Sequence, residues 1–118
     1  MKKENEFRKV MLENPVYWLE GVNGLVYDAI VSYMEENELK QKDMAKLLGI
    51  SPGRISQILN TGDINFSVEK LISICLKIGK YPVFTLVDKE EYLNQEKKKH
   101  EKREQNLEDA RVKKSSNN

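Results

Sequence analysis

A single cysteine, Cys75, leaves this chain of 118 residues without an internal disulfide and without a cysteine-rich metal site. The one histidine, His100, stands among lysines and glutamates near the C-terminal end, so no histidine metal cluster and no histidine-based catalytic pair is available. Neither a glycine-rich phosphate loop nor a nucleophile elbow occurs. The expectation is a protein that is not an enzyme, with no catalytic residues, no metal and no cofactor. Long apolar runs are also missing. Nothing approaches the roughly 20 residues of a membrane span, and the opening MKKENEFRKV lacks the apolar core of a signal peptide. A cytoplasmic protein with no membrane contact is expected.

What is present suits one compact domain with polar extensions, since 39% of residues are hydrophobic and 33% charged. The net charge of +1 conceals a local pattern. Lys40, Lys42, Lys46 and Arg54 face only Asp43 between residues 40 and 62, while Glu35, Glu36 and Glu38 lie just before. One side of a small domain can therefore attract a polyanion while another repels it.

Apolar periodicity divides the chain. Phe7, Val10 and Met11 recur at helical spacing, a short amphipathic extension over residues 1–13. Asn14 and Pro15 read as an N-cap and a first-turn proline. From there Trp18, Val22, Leu25, Ala29 and Tyr33, widened by Val26 and Ile30, form a stripe that predicts a helix to about Asn37. Gly21 and Gly24 place a kink or break near Asn23, since each glycine costs about 1 kcal/mol against alanine. Gln41 to Leu48 is a short helix closed by Gly49. Ser51 offers a cap, and Ile55, Ile58 and Leu59 mark a second helix. Ser67 caps a further helix to about Ile78, with Cys75 expected to be buried on its apolar stripe. The run VFTLV, Val83 to Val87, predicts one short β-strand. From Lys89 onward the chain is charged on nearly all sides, a helical or disordered tail over 89–118.

Two short helices joined by a glycine-containing turn, with the small Ala45 where the backbones approach, make a helix-turn-helix within a domain spanning 14–88. The stretch LKQKDMAKLLGISPGRISQILNTG resembles the helix-turn-helix of the phage Cro and repressor type, the Xre family. Gln41, Ala45, Gly49, Ile50, Ser51, Ile55, Ser56 and Ile58 carry the likeness, and INFSVEKL, Ile64 to Leu71, resembles a subgroup with Asn-Phe-Ser/Thr after the recognition helix. The resemblance covers about Trp18 to Leu76. It implies an all-α, compact, four- to five-helix lambda-repressor-like domain, here with the short C-terminal strand, and it implies DNA binding. The chain departs from the family in Pro52, Gly53 and the added Thr61.

Pro52 and Gly53 open the second helix at positions where such proteins commonly touch bases. Both are tolerated there, because first-turn N–H groups are unpaired in any case. Little side-chain reach remains at that end beyond apolar contact from Pro52 to a thymine methyl. Reading falls to Arg54, on a guanine edge or a phosphate, and to Gln57, which can pair bidentately with adenine. Gln41, Ser51 and Asn60 are placed to hold phosphates, and Lys42 and Lys46 to add attraction without sequence choice. The expected protein is a sequence-specific regulator of double-stranded DNA, a repressor working as a homodimer. The other reading is an antitoxin-like protein that binds a partner toxin through strand 83–87 or the tail and regulates its own operon.

Overall fold

The computed structural model describes residues 2–116, and all the regular structure among them is helical. The chain divides into two compact units, Met1–Pro82 and Val83–Asn118. The first holds α1 (Lys2–Leu12), α2 (Pro15–Glu36), α3 (Gln41–Leu48), α4 (Pro52–Thr61) and α5 (Val68–Lys77). The second holds α6 (Lys89–Ser116).

Local chemistry explains most boundaries. Asn14 has extended dihedrals and its side chain accepts from the Val16 amide at 3.0 Å, while Pro15 fills the first helical position. The α1–α2 corner is closed by side chains as well. The Trp18 indole donates to the Leu12 carbonyl at 2.7 Å, and the Arg8 guanidinium donates to the Tyr17 hydroxyl at 3.0 Å. α2 runs without a break for 22 residues through Gly21 and Gly24. The break considered near Asn23 therefore does not occur, since two glycines lower helix propensity without removing a backbone hydrogen bond. A Cβ at either glycine meets nothing within 4 Å, and neither has a positive φ. Gly21→Ala and Gly24→Ala should each stabilise the domain by about 0.5–1 kcal/mol. A rise in the midpoint of thermal unfolding by circular dichroism checks this, and a fall would mean that the helix needs flexibility there.

The core is aliphatic. Ile30 of α2, Met44 and Leu48 of α3, Ile55 and Ile58 of α4, Ile64 of the following loop and Ile74 of α5 are fully enclosed, with Val26, Ala45 and Ile78 nearly so. No polar or charged residue is buried among the described residues. This arrangement seats α3 and α4 on α2 and α5 by the same apolar stripes that make them helices. Ser67 caps α5 as its sequence predicts, its hydroxyl accepting from the Lys70 amide at 3.1 Å. Cys75 is half-buried rather than buried.

One element of the expected fold is corrected. Residues 83–87 form no strand, and no strand occurs among the described residues. The run has the β-branched and aromatic composition of a strand, but composition supplies no ladder partner, and an isolated strand leaves its backbone groups unpaired. Val83, Phe84 and Leu86 are instead exposed in irregular chain. The charged tail beyond it is a helix of 28 residues, α6, in which His100 lies 3.0 Å from Glu104 and the Gln105 amide donates to Asp109 at 3.0 Å. Such i, i+4 pairs support a helix that has little apolar stripe of its own.

Candidate nucleic-acid interface

The turn between α3 and α4 is built by glycine and two lysines. Gly49 takes φ 69° and ψ 36°, the left-handed conformation that ends α3. Its amide donates to the Lys46 carbonyl at 3.2 Å and the Ile50 amide to the Ala45 carbonyl at 3.0 Å, the paired bonds of a Schellman motif. The Leu48 carbonyl, unpaired within α3, accepts from Lys70 Nζ at 2.9 Å and Lys77 Nζ at 3.3 Å. Two ammonium groups from α5 thus lie at the negative end of the α3 dipole. They have little room to spare, since a Cβ on Gly49 would lie 3.3 Å from Lys77 Nζ.

α4 then starts cleanly. Ser51 is extended, and its hydroxyl accepts from the Arg54 amide at 3.1 Å. Pro52 stands at the first helical position, so the two poor helix formers occupy the turn where they do least harm. Ile55 and Ile58 point inward and are fully buried, and the Tyr27 hydroxyl of α2 donates to the Leu59 carbonyl at 3.4 Å. The opposite side of α4 carries Gly53, Gln57 and Asn60, all exposed. α4 contains no acidic residue.

Gln41, Lys42, Ser51, Pro52, Gly53, Gln57 and Asn60 are all exposed on α3, the turn or α4, and Arg54 is half-buried. Gln41 opens α3, where Lys40 occupies the cap position without a side-chain bond. Lys46 is exposed on the same helix. Asn60 donates from Nδ2 to the Ser56 hydroxyl at 3.4 Å, one turn back. Thr61 is the last residue of α4. Its hydroxyl donates to the Gln57 carbonyl at 2.7 Å and accepts from the Asp63 amide at 3.2 Å, which folds the residue into the helix end.

Arg54 and Gln57 are joined. One terminal nitrogen of Arg54 donates to Gln57 Oε1 at 3.0 Å, and the other to the Asn65 carbonyl at 3.4 Å. The guanidinium also lies over the Phe66 ring, 4.6 Å from its centroid. Asn65, Phe66, Lys70 and Lys77 escape a reading of the sequence as a binding site. The seven-residue spacing of the two lysines, two turns of one helix face, was the available signal for the second pair.

Residues 25–81 match the model of a family described as a helix-turn-helix domain. The match runs from the second half of α2 to just beyond α5 and includes the whole α3–turn–α4 unit. That stretch of the chain is thus similar to a helix-turn-helix domain. No curated protein and no solved structure matches it.

Proposed function

We propose that this chain is a sequence-specific regulator that binds double-stranded DNA with α4 in the major groove, in the manner of the Cro and phage-repressor (Xre) type, and represses transcription. The observation that carries the reading is the outward face of α4, which is capped by Ser51, free of acidic residues and lined by exposed small and amide side chains. A helix of that kind can approach base edges closely. Arg54 and Gln57 read bases, and Pro52 and Gly53 lie against the groove. Gln41, Ser51 and Asn60 hold phosphates, and Lys42 and Lys46 add unspecific attraction. The protein acts in the cytoplasm, where DNA is accessible. No helix among the described residues is long and apolar enough to cross a membrane.

Two copies act together. One α4 with two long polar readers covers too few base pairs to compete with genomic DNA, whereas two copies about 34–36 Å apart read two half-sites. The test is selection of bound fragments from the source genome, followed by gel-shift titration at several salt concentrations. The expected result is enrichment of fragments sharing a two-fold-related sequence, with affinity falling as salt rises. Equal retention of all fragments, or no salt-dependent affinity, would overturn it.

A second reading, an antitoxin-like protein that also binds a partner toxin, is favoured by one observation. Val83 and Leu86 are 83% and 99% exposed, uncovered apolar side chains in a short segment. A small toxin encoded beside this chain and co-purifying through residues 83–87 or the tail distinguishes it from a regulator acting alone.

A further inference from the structure

The contacts around Arg54 go beyond the assignment of a DNA-reading helix. Its guanidinium is held from three directions: the Phe66 ring lies against its face, the Asn65 carbonyl accepts from one nitrogen, and Gln57 Oε1 accepts from another. A guanidinium has only donors, so the Gln57 amide must turn its oxygen toward Arg54. These two acceptors leave further N–H groups of Arg54 without a partner inside the molecule. The bond to Gln57, exposed on the outward side of α4, keeps them beside that face.

We propose that Phe66 and the Asn65 carbonyl set the base preference of this protein by holding Arg54 as a preformed donor fork for one guanine, with Gln57 as its brace. The proposal rests on the DNA-binding reading above. In the major groove guanine presents two acceptors side by side, O6 and N7, which match a fork of donors. Adenine sets a donor beside its N7 and cytosine presents a donor, so both place N–H against N–H, while thymine has one acceptor beside a methyl group. A long arginine side chain loses much freedom when it binds; one already stacked and hydrogen-bonded has lost that freedom beforehand. Phe66 is thus a positioning residue. It acts on the base through Arg54 and not by its own contact.

The experiment uses the full chain and DNA selected from a random library, with affinities then measured for the consensus and for every single-base change, each over a range of salt. The unmodified protein should prefer guanine at one position of each half-site by about 10- to 100-fold. Arg54→Lys, which keeps the charge but not the planar fork, should flatten the preference at that position. So should Phe66→Leu, while Phe66→Tyr, which keeps the ring, should retain it. Circular dichroism establishes that each variant is folded at the binding temperature, and Phe66→Met replaces Phe66→Leu if the latter is not. A loss of affinity in Arg54→Ala that is uniform across sequences, with a salt slope lower by about one, would assign Arg54 to a phosphate and overturn the proposal. Full guanine preference in a folded Phe66→Leu or Phe66→Met would overturn it as well. An unmodified protein that binds no DNA at low salt removes the DNA-binding reading itself, a result distinct from binding without a guanine preference.

Discussion

Leu48→Ala is expected to lower the unfolding free energy by about 2–5 kcal/mol, the cost of truncating a fully enclosed core side chain. Leu48 is the last residue of α3, its side chain is fully enclosed, and it belongs to the cluster that joins α3 to α4 and α5. Truncation removes its burial and leaves a cavity that the neighbouring isoleucines, already seated, fill only in part. Domains of this size are stable by only about 5–15 kcal/mol, so the loss is a large share of the total. Urea unfolding followed by far-ultraviolet circular dichroism measures it. Leu107→Ala in α6 is the control, since that leucine is 67% exposed and its truncation should change stability by less than about 0.5 kcal/mol. A cost below about 1 kcal/mol for Leu48→Ala would mean that the α3–α4 junction is loosely packed.

Arg54→Ala and Gln57→Ala should each weaken binding to the selected operator by about 1–3 kcal/mol while leaving the helices folded. The two losses should not add. Arg54 and Gln57 are hydrogen-bonded to each other at 3.0 Å, so removing either already disturbs what the other presents. The double variant should lose less than the sum by about 0.5 kcal/mol or more, read from a gel-shift or anisotropy titration of all four proteins at one salt concentration. Strict additivity would show that the pair separates on DNA and that each side chain acts alone. Normal affinity in both single variants would remove α4 from the interface.

The caps and the turn were the most legible part of the sequence. Asn14 with Pro15, Ser51 with Pro52, Gly49 and Ser67 each name a local hydrogen bond that needs no distant partner, and each forms as read. The core face of α2 was less so. A stripe containing Trp18, Leu25 and Tyr33 spans much of the helix circumference, and the packing selects Val26 and Ile30 from its edge while Leu25 is 73% exposed. Periodicity gives the existence of an apolar face, but which part of a broad face is covered depends on helices elsewhere in the chain. The strand at 83–87 fails for a related reason: a strand is a property of two segments, and only one was in view. The contacts of Arg54 fall between these cases. INFS was visible as a motif, yet that its phenylalanine lies beneath an arginine twelve residues earlier follows only from the path of the loop between α4 and α5.

The lysine pair on the Leu48 carbonyl fixes the smallest piece of this protein that can be moved elsewhere. Residues 41–61 look self-contained, with their own cap and turn, and invite grafting onto another scaffold. Such a transplant would leave the end of α3 without the ammonium groups of Lys70 and Lys77, and Arg54 without Phe66. The portable module therefore runs from α2 to Lys77, and the angle between its two short helices is a property of four helices.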